Sequence, residues 1–470
     1  MNDQETLRSM YDRLADERLK WQGRNQYYHR EVERVYASMI PPGASVLEIG
    51  CGLGDLLAAL RPSRGIGVDF SGKTIALAKE RHPNLRFECM DAHALKLDGT
   101  FDYIVVSGLL GELEDIQKFF DNLKPLCHPR TRMIVDYYSE LWQPLWDVAG
   151  ALKLKMPQRL QNWLRMEDVS NLLYLSGFEV IIQKYRHLLP LPIPLLAPLC
   201  NRVLANLPGI QRLCFTGLIV ARPSPTAPLP NPSCTIVVPC RNERGNIAGV
   251  FERTPKLGSK TELIFVDGNS SDGTLEEIEK QSRAHPGWEI QSFSQGRGVG
   301  KGDAVRQAFA RAKGDVLMIL DADLTMPPED LPKFFNGLVA GRGEMMNGSR
   351  LVYPMEKQAM RFLNLIANWF FGQAFSWLLE QKLRDTLCGT KVLLRTDYEK
   401  IAKNRAYFGD FDPFGDFDLL FGASKLHFKI VDVPVRYKER VYGETNIKRF
   451  RHGWQLLKMC FVALFKLKLQ

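Results

Sequence analysis

The sequence lacks the signatures of several large protein classes. Its nine cysteines are scattered and form no CxxC pair, which argues against a disulfide framework or a zinc site and indicates reduced thiols in a cytosolic protein. The N-terminal stretch MNDQETLRSMYDRLADERLK has no apolar core of the kind found in a secretory signal peptide. We find no nucleic-acid-binding motif and expect no nucleic-acid partner. The expected location is therefore cytoplasmic.

Long apolar runs without charge are also scarce. Residues 362–379, FLNLIANWFFGQAFSWLL, form an 18-residue uncharged run, which is close to the lower limit for a membrane-spanning helix. Asn364, Asn368, Gly372 and Ser376 recur in it at every fourth position, so we predict an amphipathic helix that is buried on one side or lies at a membrane interface. Prolines interrupt the apolar segment 187–200, which we interpret as a packed, extended cover or a substrate-side flap.

Negative charge is nearly missing from the C-terminal end. The whole chain carries a net charge of +9, and residues 436–470 hold nine Lys or Arg residues against two Glu residues. Such a segment suits phosphates or an anionic membrane surface. Together with the apolar positions in WQLLKMCFVALFKLKLQ, this segment predicts peripheral contact with the inner face of a membrane. A merely solvated tail is the alternative.

The length of 470 residues exceeds what one hydrophobic core supports, so two or three domains are expected. Residues 222–233, RPSPTAPLPNPS, contain five prolines and predict a semi-rigid linker. We therefore expect a domain over residues 1–221 and a second over residues 234–470 that ends in a basic amphipathic tail. On both sides of the linker, strand, loop and helix patterns alternate, which indicates α/β domains with parallel sheets.

In the first half, a polar or glycine-rich segment follows each of four predicted strands. Ser45–Ile49 runs into Gly50, Gly52 and Gly54, where a backbone without Cβ atoms can turn sharply beside a ligand. Asp69 follows the second strand, where an acid can bind both ribose hydroxyls. The third strand leads into Met90-Asp91-Ala92, and Asp91 could bind an adenine amino group. The loop alone also fits a dinucleotide site or a purely structural turn.

This ordered set, and above all EIGCGLGD, resembles the class I S-adenosylmethionine-dependent methyltransferases. The resemblance implies a Rossmann-like sheet with S-adenosyl-L-methionine as the cofactor. It assigns the methionine part of the cofactor to the glycine loop, and Glu48 would orient that loop. Further implied cofactor contacts are Asp69 at the ribose and the Asp91–Ala92 segment at the adenine. The methyl acceptor cannot be read from the sequence. Tyr137, Tyr138 and Trp142 could line its pocket, although packing is the simpler interpretation.

Acids also follow the strands of the second half. Thr235–Val238 leads into PCRNE, Leu263–Val266 leads into DGNSSDG, and Val316–Leu320 leads into Asp321-Ala322-Asp323. A basic glycine-rich segment, GRGVGKG, lies between the last two. Two carboxylates one residue apart can share Mg²⁺ or Mn²⁺ with a diphosphate, because these metals prefer oxygen ligands.

This set resembles the inverting family-two glycosyltransferases of GT-A fold, which bind a nucleotide-sugar donor. The resemblance implies the following donor-binding residues: Pro239, Arg241, Glu243, Asp267, Lys301 and Asp321. Asp321 and Asp323 would hold the nucleotide and the metal. A binding domain without catalysis is the alternative.

Three later segments resemble polyprenyl-phosphate and dolichyl-phosphate sugar transferases: RDTLCGTKVLLR at 384–395, GDFDLLFGASKLHFKIVDVPVRY at 415–437 and GETNIKRFRHG at 443–453. The resemblance implies a polyprenyl-phosphate acceptor, with Arg440, Lys448 and Arg449 binding phosphates.

Asp416 leaves the acceptor open. In family members that glycosylate hydroxyls, an acid at this position removes the acceptor proton, and Asp416 would then support a glycan acceptor. A phosphate monoester is already an oxyanion at neutral pH and needs no such base. Asp416 could also cap a helix that starts near Asp418. The sequence as a whole predicts a bifunctional sugar and methyl transferase, with a scaffold that has one inactive domain as the competing hypothesis.

Overall fold

The structure is a computed structural model that describes residues 3–152, 161–225, 227–298, 300–353, 362–407, 415–443 and 449–469. The chain divides into two compact units, Met1–Ser224 with Lys468–Gln470, and Pro225–Leu467. The last strand of the first unit ends at Pro223, and the first strand of the second unit begins at Cys234. The proline-rich segment therefore connects two sheets.

The first unit contains helices and strands in alternation. Its helices are α1 Asp3–Arg24, α2 Gln26–Met39, α3 Asp55–Ala59, α4 Gly72–Arg81, α5 Ile116–Leu123, α6 Gln143–Ala151, α7 Met166–Leu175 and α8 Leu196–Pro198. Its strands are β1 Ser45–Ile49, β2 Arg64–Asp69, β3 Arg86–Cys89, β4 Phe101–Ser107, β5 Cys127–Tyr138, β6 Phe178–Arg186 and β7 Thr216–Pro223.

The seven strands form one sheet in the order β3-β2-β1-β4-β5-β7-β6. The first five strands in this order are parallel, while β7 runs antiparallel to both β5 and β6. The sheet is therefore mixed, because β7 reverses the direction that the other strands share. Apolar side chains from the strands pack into one cluster on each face of the sheet, as expected for a sheet covered by helices on both sides.

The second unit has the same alternation with different connections. Its helices are α9 Arg244–Arg253, α10 Thr274–Ala284, α11 Gly300–Phe309, α12 Leu331–Val339, α13 Phe362–Leu379, α14 Arg395–Lys403, α15 Asp416–Lys425 and α16 Arg449–Ala463. Its strands are β8 Cys234–Cys240, β9 Thr261–Asp267, β10 Glu289–Ser294, β11 Val316–Ile319, β12 Met345–Ser349, β13 Lys391–Leu394 and β14 Ile430–Pro434.

The second sheet has the order β10-β9-β8-β11-β13-β12-β14. Strands β10, β9, β8 and β11 are parallel, and β13 runs antiparallel to β11 and β12. This sheet is therefore also mixed rather than parallel throughout. Two α/β units, each built around its own sheet and its own buried clusters, confirm the predicted fold class.

The predicted amphipathic helix is α13, and its polar stripe faces the protein. Asn368 is buried, and the Ser376 hydroxyl donates to the Gly372 carbonyl at 2.7 Å. The apolar rings of Trp369 and Phe370 are 64% and 51% exposed. The side chain of Asn364 lies outside the described part of the chain. Among the described residues, no helix combines the length and apolarity needed to cross a bilayer.

The segment 187–200 departs from its predicted packing. Leu191, Ile193 and Leu195 are 56%, 41% and 88% exposed, so these side chains do not form a buried cover. Ala197 and His187 are buried and anchor the segment to the unit. The expectation of a packed cover was wrong, because the apolar side chains of the proline-interrupted stretch before α8 face solvent rather than neighbouring side chains.

Candidate active sites

The first unit holds a cavity of about 640 Å³, which is within the roughly 300–1,000 Å³ typical of small-molecule sites. It lies at the carboxyl ends of β1, β2, β3 and β4. The predicted cofactor residues that line it are Glu48, Gly50, Gly52, Asp69, Asp91 and Ala92. Gly54 instead precedes α3 at the end of the loop. The residues that follow the predicted strands thus line a cavity in the structure.

The glycine loop requires glycine for conformational reasons. Gly50, Gly52 and Gly54 have φ values of 76°, 52° and 79°, in the left-handed region that other residues rarely adopt. A Cβ atom on Gly54 would also lie 2.5 Å from the Phe87 ring. The loop can therefore follow this path beside the cavity only with glycines.

Asp69 connects the ends of two strands. Its Oδ2 accepts a hydrogen bond from the Gly52 amide at 3.0 Å, and its Oδ1 accepts one from the Ser71 amide at 3.0 Å. Asp91, at the end of β3, accepts a hydrogen bond from the His93 amide at 2.8 Å. Both carboxylates are thus fixed on the cavity wall by backbone donors.

Glu48 is a buried acid that faces the cavity. It accepts a hydrogen bond from the Leu57 amide in α3, in keeping with an orienting role toward the loop. Its Oε2 is buried without a hydrogen-bond partner among the described residues, and burial raises its pKa well above the ordinary value for glutamate. A ligand with a cationic or hydrogen-bonding group would satisfy this oxygen.

The opposite wall of the cavity is aromatic. Tyr28, Tyr138 and Trp146 line it, with the Tyr138 and Trp146 ring centroids 5.3 Å apart. His29 lies on the same wall, where burial lowers its pKa although nearby Asp55 opposes the shift. Tyr137, by contrast, is a buried core residue. Of the aromatic residues singled out in the sequence, Tyr138 therefore reaches the cavity and Tyr137 does not.

In the second unit, the predicted donor residues collect at one edge of the sheet. Pro239 lies near the end of β8, Asp267 ends β9, and Asp321 follows β11. Because these strands are parallel neighbours, their carboxyl ends meet at the same edge. Asp267 Oδ2 accepts from the Ser270 amide at 3.1 Å, and its Oδ1 is buried without a partner among the described residues. Arg241 is exposed just beyond β8.

Lys301 and Asp321 form an ion pair, with 2.5 Å between Lys301 Nζ and Asp321 Oδ1. Burial would raise the pKa of Asp321, but the adjacent Lys301 lowers it below its ordinary value. The pair is held close to the backbone of Gly389, where a Cβ atom would lie 2.1 Å from Asp321 Oδ2. The RDTLCGTK segment thus passes directly beside the donor carboxylates.

Arg440 bridges two more of the predicted residues. Its Nη1 donates to Glu243 Oε1 at 2.8 Å, and its Nη2 donates to Asp323 Oδ2 at 2.7 Å. Asp323 Oδ1 also accepts from the Thr325 hydroxyl at 2.8 Å. Arg440, which the sequence predicts to bind phosphate, therefore contacts two of the carboxylates that are predicted to bind the nucleotide-sugar and the metal.

Asp416 is the first residue of α15 and is not its cap, because the helix begins two residues earlier than predicted. It is buried, and Lys391 Nζ lies 3.3 Å from its Oδ1. Lys391 is itself fully buried and also donates to the Cys388 carbonyl. Lys448 and the Arg449 side chain lie outside the described residues.

Two cations that take part in ion pairs were missed in the sequence. Arg350 donates to Asp385 through Nε at 2.7 Å and through Nη2 at 2.9 Å, and Lys391 pairs with Asp416. Arg350 directly follows β12, so the rule that located the acids, a charged residue after an apolar strand, could have found it. Lys391 is the last residue of the segment RDTLCGTK, but nothing in the neighbouring sequence indicates that its side chain is buried.

The donor set fits a divalent cation that is shared with a ligand. The described residues contain no group of three or more His, Cys, Asp or Glu side chains able to hold a metal alone. Asp321 and Asp323 offer carboxylate oxygens, and Mg²⁺ is commonly bound by one or two carboxylates together with substrate phosphates.

Family models match both halves of the chain. A family model described as a methyltransferase domain matches residues 21–183, and the model of glycosyl transferase family 2 matches residues 235–402. The chain thus resembles a methyltransferase domain in its first half and a family 2 glycosyltransferase domain in its second half. Both resemblances inferred from the motifs are confirmed.

Curated relatives match the C-terminal half. The dolichol-phosphate mannosyltransferase of Saccharomyces cerevisiae is 39% identical over 109 residues, or 22% of this chain and 40% of that protein. The dolichol-phosphate mannosyltransferase of Pyrococcus furiosus is 26% identical, covering 48% of this chain and 63% of that protein. An undecaprenyl-phosphate 4-deoxy-4-formamido-L-arabinose transferase of Edwardsiella ictaluri is 24% identical, covering 45% and 62%. The chain spans less than two thirds of each relative.

Among solved structures, a magnesium protoporphyrin IX methyltransferase from Synechocystis with bound SAH is similar with a TM-score of 0.31 and 19% identity. It covers 43% of this chain and 84% of that one.

Proposed function

We propose that the chain is a bifunctional transferase. The C-terminal domain transfers a sugar from a nucleotide-diphosphate sugar to a polyprenyl phosphate, and the N-terminal domain methylates an acceptor with S-adenosyl-L-methionine. The observation that carries the first activity is the meeting of Asp267, Asp321 and Asp323 with Lys301 and Arg440 at one sheet edge. Carboxylates for a metal and cations for a diphosphate occur there side by side.

The state of Asp416 favours a phosphate acceptor over a sugar hydroxyl. A general base must reach the acceptor proton and accept it readily. Asp416 is buried, with Lys391 Nζ 3.3 Å from its Oδ1, so an acceptor hydroxyl would have to compete with this buried cation for the carboxylate. The neighbouring Gly415 supplies no second acid. A phosphate oxyanion attacks without losing a proton, so this arrangement serves it better than it serves a hydroxyl.

The cations in the site would offset charge during transfer. When bound, Mg²⁺ or Mn²⁺ on Asp321 and Asp323 would neutralise the leaving diphosphate. Lys301 would hold the donor beside Asp321, and Arg440 would exchange its carboxylate partners for phosphate oxygens. Lys448 and Arg449 would bind the acceptor phosphate. Asp267 would use its free Oδ1 to bind the nucleoside.

In the N-terminal domain, Asp69 would bind the cofactor ribose, Asp91 and Ala92 the adenine, and Gly50, Gly52 and Glu48 the methionine part. The cofactor supplies an electrophilic methyl group.

Eight carboxylates and one lysine line the cavity, so an anionic acceptor group would be repelled. The neutral imidazole of His29 would take the proton that an attacking hydroxyl releases.

A peripheral membrane contact would deliver the lipid acceptor. The exposed side chains of α16 and the turn after it recur at helical spacing: Trp454, Leu457, Phe461 and Phe465, exposed by 62%, 45%, 62% and 53%. The outward-facing Trp369 and Phe370 of α13 add to this apolar surface. Such a face beside lysines and arginines is typical of helices that lie at the surface of an anionic membrane.

Transfer of radiolabelled sugar into an organic-extractable product tests the acceptor. With a polyprenyl phosphate, Lys448→Ala and Arg449→Ala should cost more activity than Asp416→Asn, because phosphate-binding cations are lost. With a sugar hydroxyl, Asp416→Asn should lower the rate about a hundredfold or more. Label confined to water-soluble product, with inactive Asp416→Asn, would overturn the proposed acceptor.

A further inference from the structure

Helix α6 forms part of the cavity wall in the N-terminal unit but leaves most of its apolar side chains outside. Trp146 lines the cavity. On the same helix, Leu145 and Val148 are 61% and 56% exposed, and Leu141 and Leu152 at its two ends are 53% and 63% exposed. A helix that packed only against its own domain would bury such residues. The wall of the cavity therefore continues into an exposed apolar surface.

The segment 191–213 extends this surface. Its exposed apolar side chains, between 36% and 88% accessible, are Leu191, Ile193, Leu195, Leu196, Leu199, Val203, Leu207 and Leu213. The segment adjoins α6, because Trp142 Nε1 donates to the Leu213 carbonyl at 3.0 Å. The Phe215 ring also lies 5.4 Å from the Trp142 ring and 5.3 Å from the Trp146 ring. We call the exposed apolar residues of 141–152 and 191–213 the apolar rim.

The charge around the apolar rim has one dominant sign. Residues 187–215 contain two arginines and no acid, and the one acid of α6 is Asp147. Arg202 and Arg212 are exposed within the segment itself. Apolar surface with basic neighbours matches the interfacial zone of an anionic bilayer, in which apolar side chains enter the acyl boundary and cations meet headgroups.

The backbone of the segment suits the same environment. Pro190, Pro192, Pro194 and Pro198 have no N–H group, so this stretch exposes fewer unsatisfied donors than another sequence would. Contiguous apolar surface of this extent marks an interaction site on a folded protein. A second copy of the chain would bring the same two arginines against Arg202 and Arg212, whereas an anionic membrane would complement them.

We propose that the apolar rim docks on an anionic lipid bilayer and that the N-terminal cavity therefore methylates an acceptor presented at a membrane surface. The second half of this statement rests on the proposed methyltransferase function of the cavity. The contact uses residues of the N-terminal unit, none of which belongs to α13 or α16. It defines the methyl acceptor by its location, as a group carried on or held at a lipid surface.

Flotation of the full-length chain with phosphatidylcholine vesicles, with and without phosphatidylglycerol, tests the contact. The background variant Trp454→Ser with Phe461→Ser reduces binding through the C-terminal helix. In that background, Leu195→Glu with Leu199→Glu should lower the vesicle-bound fraction at least about fivefold, because two apolar contacts become anionic. The matched control is Leu175→Glu, which changes an exposed leucine on α7 outside the rim.

Three outcomes decide the proposal. Loss of binding that is specific to the rim variant, with an unchanged melting temperature, supports it. Equal flotation of the rim variant, the control and the background overturns it, as does a change from dimer to monomer in light scattering without any change in flotation.

A site-specific measurement keeps the test independent of variant folding. p-Benzoylphenylalanine in place of Leu195 should photocrosslink to labelled phosphatidylglycerol, and the same probe in place of Leu175 should not. Equal labelling at both positions would also overturn the proposal. Calorimetry with S-adenosyl-L-methionine separates the two claims: vesicle binding without cofactor binding refutes the function of the cavity and leaves the apolar rim in place.

Discussion

Single buried charges set the chemistry of both sites. In the N-terminal cavity, Glu48 is an acid that is kept from water and retains one unpaired oxygen. In the C-terminal unit, Lys391 Nζ lies 3.3 Å from Asp416 Oδ1, so each buried charge faces an opposite charge. The first arrangement destabilises the empty domain until a ligand binds, while in the second each charge offsets part of the burial cost of the other.

Replacing Glu48 with glutamine should stabilise the empty N-terminal domain at neutral pH. Burial raises the pKa of Glu48 in the folded state, so the wild type loses stability as pH rises above about 4.3, the unfolded value. Glutamine cannot ionise and can still accept the Leu57 amide. We expect a gain of about 1–3 kcal/mol at pH 7.5 that vanishes near pH 4.

Urea unfolding across this pH range, with the exposed Glu80→Gln as the control, measures the gain. A stability difference that does not change with pH would show that Glu48 carries no burial cost. Cofactor affinity should fall in the same variant, because the amide nitrogen of glutamine cannot accept a hydrogen bond in place of a carboxylate oxygen.

Replacing Asp416 with asparagine should destabilise the C-terminal domain by about 3–5 kcal/mol, because the buried cation of Lys391 loses its partner. Adding Lys391→Met should recover most of this loss. Activity of the double variant then reports on catalysis without the folding defect. If Asp416→Asn is as stable as the wild type in urea, the pair is not structural and a base role for Asp416 regains support.

The acids after apolar strands could be predicted because the apolar run and the acid that follows it are neighbours in the sequence. An apolar run predicts a buried strand, and the polar residue after it must lie at the sheet edge. The pairing of Lys391 with Asp416 could not be predicted, because it joins residues 25 positions apart in sequence on two different elements.

At the scale of elements, the sequence indicated which segments form helices and strands. It did not indicate which face of a helix meets the core or in which direction a strand runs. The stripe of small and polar residues correctly predicted a helix at 362–379, yet the stripe faces the protein and the rings of Trp369 and Phe370 face outward. Periodicity identifies two faces of a helix and does not say which one meets the core. Similarly, β7 has an apolar sequence that suits a parallel or an antiparallel strand equally, so its reversed direction was not visible.

The loop before β13 gives a prediction at this scale. A Cβ atom on Gly389 would lie 2.1 Å from Asp321 Oδ2 and 2.2 Å from Lys301 Nζ, so Gly389→Ala should force the ion pair apart. We expect nucleotide-sugar turnover to fall about tenfold or more, as a displacement of about 1 Å can cost a hundredfold in rate.

The control for this loop is Gly453→Ala in α16, where nothing lies within 4 Å of the added Cβ. Alanine should stabilise that helix by up to about 1 kcal/mol. Turnover by Gly389→Ala at the wild-type rate would mean that the pair in its present geometry is not needed for donor binding.

At the scale of the whole molecule, each domain has its own sheet, its own core and its own site. Asp69→Ala should weaken binding of S-adenosyl-L-methionine by about 2–3 kcal/mol, because hydrogen bonds to a charged group are lost. It should leave glycosyl transfer unchanged. Asp323→Ala, or excess chelator, should abolish glycosyl transfer and leave cofactor affinity unchanged.

Calorimetry and radiolabel transfer on the same preparations measure both effects, with exposed Asp98→Ala as the control. Full sugar transfer in excess chelator would assign Asp321 and Asp323 another role. Unchanged cofactor affinity in Asp69→Ala would remove the ribose assignment. Loss of both activities in either variant would show that the two sites are coupled.

The ion pairs of Lys301 with Asp321 and of Arg440 with Glu243 and Asp323 also determine how the protein can be stored. An acidic cluster without a metal would repel itself, but here two side-chain cations pair with its three carboxylates and reduce that repulsion. The domain should therefore fold in metal-free buffer and remain folded there. It should regain full activity when Mg²⁺ or Mn²⁺ and donor are added together. The stability of the protein during storage should therefore not depend on a bound metal.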